Sequence, residues 1–291
     1  MPRMLVFGAS GQIGRFLVPR LLDEGHEVLA VSRSQRTSVR PGLRWIRADL
    51  FAQMPEFPQV AAILSLGPLD GCAGWLARAR VPGRPRIVAF SSMSAVSKRE
   101  SDDPAERALA QTLQAAEHRL TGAAQGQGLE WTLLRPTLIY GAGIDRSLTP
   151  LARLGRRVRL FPRLAHASGL RQPVHAADLA GACLAAAQAD AAGGRIFDLG
   201  GGERLSFSLM LERTRQSLNG PVLGVPVPAG LARTGLHLAR LLPRWRGIHA
   251  GALTRLQTDL LAEDEPARAL LGWAPRGFQP DPSTWRIQPT P

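Results

Sequence analysis

A doubly wound parallel α/β sheet with a second, smaller and mainly helical part is the architecture this sequence predicts, on three observations. Short β-rich apolar runs alternate with helical patterns through the first two thirds of the 291 residues, as strands and crossover helices do. Three glycines recur at every third position in FGASGQIG, Phe7 to Gly14, between an apolar run and a helical one. The patterning weakens after Arg146 and becomes helical and proline-broken after Glu203. These changes divide the chain into a nucleotide-binding domain over 1–145 and 174–202 and a smaller substrate or cap domain over 146–173 and 203–291.

In chain order, Met4 to Phe7 reads as the first strand, and Ile13, Phe16, Leu17 and Leu21 then share one helical face. Pro19 removes one backbone bond from that helix and is expected to bend it. Gly25 ends the helix and His26 to Val31 forms the second strand. Further strands are read at Leu43 to Ile46, Ala61 to Leu66, Arg86 to Phe90, Trp131 to Leu134 and Arg195 to Leu199. Between the fifth and sixth lies a long helix, Ala105 to Leu120, with Asp102 or Asp103 as N-cap and Pro104 in its first position.

The formal net charge is +13, and Lys98 is the single lysine among 36 basic residues. The arginines are dispersed, with enrichment only at Leu151 to Arg163 and Ala232 to Arg246, and aromatics do not interleave them. A solvated basic face explains this pattern better than a nucleic-acid site; contact with an anionic ligand or membrane surface is the next reading. No 18-residue apolar window occurs, so no transmembrane segment is expected, and the chain opens directly into a strand, which suggests a cytoplasmic protein. Cys72 and Cys183 lack the spacing of a disulfide framework or zinc site, so both read as packing residues and no metal is expected.

In a strand-to-helix turn the three glycines have separate tasks. Gly8 permits the tight turn, Gly11 lets backbone N–H groups approach a pyrophosphate, and Gly14 allows close packing of helix on strand. Ser10, Gln12 and Ile13 complete the cradle, and the helix N-terminus adds partial positive charge. The second strand ends Val31-Ser32-Arg33-Ser34, with Arg36 close behind and no carboxylate. An acidic residue there would bind the 2′-hydroxyl of NAD; Ser32 and Arg33 instead suit the 2′-phosphate of NADP(H).

Taken in order, GASGQIG, ADL at Ala48 to Leu50, FSS at Phe90 to Ser92, LLRPTLIYGAG at Leu133 to Gly143, VHAADLA at Val174 to Ala180 and FDLGGGE at Phe197 to Glu203 resemble the extended or atypical short-chain dehydrogenases/reductases of the NAD-dependent epimerase/dehydratase family. LGW at Leu271 to Trp273 resembles a C-terminal feature of that family. The resemblance implies a Rossmann-type fold in which Asp49 contacts the adenine amino group with Leu50 beside it. It also implies that Leu66 and Gly67 line the adenosine ribose and phosphates, and that Ser91 and Pro136 approach the nicotinamide half. His175 and Asp178 fall at a helix start and are expected to cap or pack.

Catalytic members of the family carry Tyr-x-x-x-Lys on the helix after the fifth strand, with a Ser or Thr just before it. Spacing four puts both side chains on one helix face, where they serve one proton transfer. Aligning AAE at Ala115 to Glu117 sets Leu109 and Leu113 in those positions, and no Tyr-x-x-x-Lys occurs anywhere in the chain. Met93 falls at the hydroxyl position, flanked by Ser92 and Ser94. Ser92, Ser94, Lys98 and the sole tyrosine, Tyr140, are the remaining catalytic candidates, with Glu106, His118 and His166 as other possible acids, although Glu106 and His118 read as surface residues of the helix. The sequence therefore predicts an NADP(H)-binding protein that is either an oxidoreductase with a non-standard proton donor, acting on a small molecule, or a redox-inactive sensor, assembly factor or subunit.

Overall fold

The computed structural model describes residues 2–38, 40–52, 54–164, 167–227 and 256–291. The expectations on His166 and on the arginine-rich stretch Ala232 to Arg246 lie outside the described residues. The order of elements is β1 (Arg3–Phe7), α1 (Gly14–Asp23), β2 (Glu27–Ser32), β3 (Leu43–Arg47), β4 (Ala62–Ser65), α2 (Leu69–Leu76), β5 (Arg86–Phe90), α3 (Ser94–Ser97), α4 (Pro104–Gly126) and β6 (Trp131–Pro136). There follow β7 (Ile139–Tyr140), α5 (Leu148–Val158), β8 (Leu160–Arg163), β9 (Leu170–Arg171), β10 (Val174–His175), α6 (Ala176–Gln188), β11 (Arg195–Leu199), β12 (Leu205–Ser206), α7 (Phe207–Gln216), β13 (Leu223–Pro226) and a final helix, Glu265–Leu271.

Seven strands form one parallel sheet in the order β11-β6-β5-β4-β1-β2-β3. Because successive side chains of a strand point to opposite faces, β1 feeds two cores. Met4 and Val6 join Leu17, Val18, Leu179 and Cys183 on the α1 and α6 side. Leu5 and Phe7 join Trp75, Leu76, Ala116 and Leu120 on the α2 and α4 side. A third cluster, around Tyr140, Phe161, Phe278 and Trp285, is built from the later segments. There the helices are joined by short strand pairs, β8 with β13 and β9 with β12.

Local chemistry explains the elements. Asp103 accepts from Ala105 N–H at 2.9 Å and caps α4, with Pro104 in its first turn. The helix continues to Gly126, past the expected end at Leu120, because Ala124 keeps its buried face in register. Helix α1 runs through Pro19 without interruption: Leu17, Val18 and Leu21 are buried, and this packing outweighs one missing backbone bond. Cys72 and Cys183 are buried thiols outside any disulfide, and burial pushes their pKa up, that of Cys72 to about 11. No helix among the described residues is long and apolar enough to cross a membrane.

One buried polar network ties the α4 face of the sheet together. Glu117 of α4, 4% exposed, accepts two bonds from Arg135 of β6, at 2.8 and 2.5 Å, and one from the Ser91 hydroxyl after β5 at 2.5 Å. Hydrogen bonding to Glu117 raises the Arg135 pKa, and Asp198 of β11 stands 3.8 Å from the same guanidinium. Removing one partner of such a pair leaves the other charge poorly compensated in a low-dielectric setting. Glu117→Ala is therefore expected to cost about 3 kcal/mol, the low end of the range for broken buried pairs because Asp198 remains. Urea denaturation would read this as a lower midpoint at unchanged slope.

Candidate dinucleotide site

The sheet order reverses between β1 and β4, and the crevice beyond their carboxyl ends is where open α/β sheets bind ligands. Phe7 ends β1 opposite Val31 of β2 and Ser65 of β4. Gly8 then turns with φ +74°, and a β-carbon on it would stand 2.7 Å from Gly67 N and 2.8 Å from Leu66 C. Only glycine satisfies both constraints. Gly11 closes the turn by donating to Gly8 O at 2.8 Å. A β-carbon on Gly14 would overlap the backbone of Ala9, so this third glycine seats α1 against the turn.

A cavity of about 240 Å³ opens here, lined by Gly8, Ser10, Gly11, Ser32, Arg33, Asp49, Leu50, Leu66 and Gly67, all expected from the sequence. Phe7, Val31, Ala48, Phe51 and Pro68 complete the lining. Gln12, Ile13 and Gly14 form the adjoining turn and the start of α1. No side chain caps that helix, and the buried Gln12 Oε1 has no hydrogen-bond partner among the described residues. An uncapped helix start with an orphaned polar atom beside it suits a phosphate-bearing ligand. The turn and the start of α1 thus fit the phosphates of a dinucleotide, beside a cavity that Asp49, Leu50 and Leu66 help to line.

Around the end of β2 the charge is positive. Ser32 Oγ accepts from Arg36 Nε at 3.2 Å and from Ser34 N–H at 3.3 Å, and the Arg36 guanidinium lies 5.4 Å from the Trp45 ring centroid. Arg15 Nε donates to Ser10 O at 3.2 Å. Burial first, and the nearby Arg36 charge second, hold the Arg15 pKa below its ordinary value. Among the described residues, none of Arg15, Arg33 and Arg36 pairs with a carboxylate. Arg15 was not singled out from the sequence, although its place directly after Gly14, in the first turn of the helix, was the available signal.

Ser91 and Pro136 stand at the carboxyl ends of neighbouring strands β5 and β6, where the Ser91 N–H donates to Leu134 O, and neither lines the cavity. The Ser91 hydroxyl is committed to Glu117. Ser92 Oγ accepts from Ser94 N–H at 3.2 Å, an ordinary loop role, and Ser94 opens the short helix α3. Tyr140 is only 1% exposed, packed edge-to-face against His175 and Phe278, with its hydroxyl 3.5 Å from Gly277 O. Burial pushes its pKa up. Lys98 lies 3.8 Å from Glu106. Glu106, read as a surface residue, is instead fully buried and accepts from Ser101 Oγ at 2.7 Å. Leu109, which the sequence comparison set at the tyrosine position, is 39% exposed, and His118 is exposed.

His175 caps α6, its Nδ1 accepting from Ala177 N–H at 3.1 Å, and Asp178 pairs with Arg276 at 2.8 Å. Burial, then the Arg276 charge, lower the His175 pKa from 6.5 to about 4. The unfolded chain therefore takes up this proton first. The stability from the neutral, capping imidazole is fully present above about pH 6.5 and lost as pH falls toward 4. His175→Asn keeps a cap acceptor without titrating, so its melting temperature should decline less between pH 6.5 and 4 than that of the parent; parallel declines would contradict the assignment.

Residues 8–149 match the family model described as NAD(P)H-binding. The UDP-glucose 4-epimerase of Corynebacterium glutamicum is 26% identical over 94% of this chain and 91% of its own length. The 2-alkyl-3-oxoalkanoate reductase of Stenotrophomonas maltophilia is 27% identical over 94% and 95%. An uncharacterized protein of Mycobacterium tuberculosis is 28% identical over 49% of this chain, but only 16% of its own length is spanned. Among solved structures, MoeE5 in complex with UDP-glucose and NAD superposes with a TM-score of 0.69 at 21% identity, covering 98% of this chain and 97% of the other. Residues 8–149 are thus similar to an NAD(P)H-binding family, and the chain as a whole has a Rossmann-type α/β fold like that of these solved structures.

Proposed function

We propose that this protein binds NADP(H) and works as an atypical short-chain reductase without the Tyr/Lys proton-transfer pair. One observation carries the cofactor preference: Arg15, Arg33 and Arg36 gather at the end of β2, where an NAD-selective site would have a carboxylate. A 2′-phosphate brings the negative charge that such a cluster lacks, and guanidinium groups recognise phosphate well. Gly8, Gly11 and the start of α1 hold the pyrophosphate, and Asp49 with Leu50 holds the adenine.

The nicotinamide, when bound, supplies or accepts hydride; the chain's own residues position it and manage the proton. With Leu109 and Leu113 where Tyr and Lys would act, the proton that completes a carbonyl reduction comes from water or from the Lys98 side of the β5 loop. Losing a positioned acid costs about 10²- to 10⁴-fold in rate, so slow turnover is expected. The similarity to a 2-alkyl-3-oxoalkanoate reductase over nearly the whole chain supports a carbonyl substrate. Leu109 and Leu113 themselves favour a second reading, a nicotinamide-nucleotide sensor, assembly factor or subunit with no redox turnover.

Calorimetric titration should show NADPH binding at least about tenfold more tightly than NADH, with Arg33→Ala removing most of that difference; a tenfold ratio is 1.4 kcal/mol. Equal affinities in the parent protein would overturn the cofactor assignment. Deuteride transfer from labelled NADPH into a metabolite extract is expected for a reductase, whereas tight NADPH binding with no transfer selects the second reading.

A further inference from the structure

A second cavity, about 510 Å³, lies apart from the dinucleotide crevice, between the β3–β4 loop and the end of α2. Its size falls in the range of small-molecule sites, roughly 300–1,000 Å³. Leu5, Met54, Phe57, Val60, Ile63 and Trp75 supply an apolar interior, and Arg78, Arg80 and Glu56 supply the charged side chains. Two exposed arginines thus stand against one exposed glutamate in the lining, and none of the three forms an ion pair among the described residues. The partial negative end of α2 points to the same rim, but it is worth about half a charge. We propose that this cavity is a binding site for an organic anion with an apolar body, such as a medium-chain carboxylate, its chain against Phe57 and Trp75 and its head at Arg78 and Arg80.

The walls are preformed. Gln127, just beyond α4, donates to Leu76 O at 2.9 Å and Ala79 O at 3.0 Å and accepts from Val81 N–H at 3.2 Å, fixing the α2–β5 connection. Pro55, Pro58 and Pro82 stiffen the opposing loops. Phe7, Phe57 and Trp75 pack mutually edge-to-face, with centroids 4.9–6.2 Å apart. Phe7 also lines the dinucleotide crevice, so this aromatic triad is a shared wall, and the two sites are separate. A preformed site spares its ligand the cost of ordering loops.

Sodium decanoate, below its micelle concentration, is the probe, with decyltrimethylammonium as the cation of equal chain length. Calorimetry should show saturable one-to-one decanoate binding, undiminished by saturating NADPH, at least about tenfold tighter than the cation. Arg78→Ala/Arg80→Ala, at exposed positions, should weaken decanoate about tenfold, and Ala79→Trp should block it by filling the cavity, while both variants retain NADPH affinity. Absence of saturable binding, equal affinity for the cation, competition by NADPH, or decanoate affinity unchanged in the double arginine variant would each overturn the proposal.

Discussion

The close approach of two turns, Gly8 after β1 and Gly67 after β4, is the constraint from which the rest of the site follows. With 2.7 Å between a hypothetical Gly8 β-carbon and Gly67 N, the turns meet backbone to backbone at the point where the sheet reverses. That contact aims the β1 turn at α1, and the seating of Gly14 against Ala9 then sets where the uncapped helix start faces. The shape of this turn is a consequence of backbone packing, and positive charge is added beside it by Arg15, Arg33 and Arg36.

The long helix α4 is held to the sheet by polar contacts of its own. Ser91, Glu117 and Arg135 form a satisfied buried network that fixes α4 against β5 and β6. This keeps α4 in place against the sheet. Leu109 and Leu113 of the same helix take no part in that network.

The parts legible in the sequence were those set by local backbone chemistry. Gly8 to Gly14, the Asp103 cap with Pro104, and the strand Arg86–Phe90 are written in neighbouring residues, and the alternation of strands and helices implied the sheet. What the sequence concealed depended on partners distant along the chain. Glu117 meets Arg135 across 18 positions, and Arg15 faces Arg36 only once β2 is laid beside β1. Glu106 looked like a solvated helix residue because its burial comes from outside its own helix, and Tyr140 disappeared into a core built with Phe278. The strand pairs β8 with β13 and β9 with β12 are two to four residues long, too short for a periodicity to show.

The central claim is that the arginines beside β2 read a 2′-phosphate. A crystal structure with NADP⁺ tests it most directly. The account predicts the 2′-phosphate within hydrogen-bond distance of Arg33 and of Arg15 or Arg36, with the pyrophosphate over Gly11 and the start of α1. A 2′-phosphate directed into solvent, with those three guanidiniums disengaged, would contradict it.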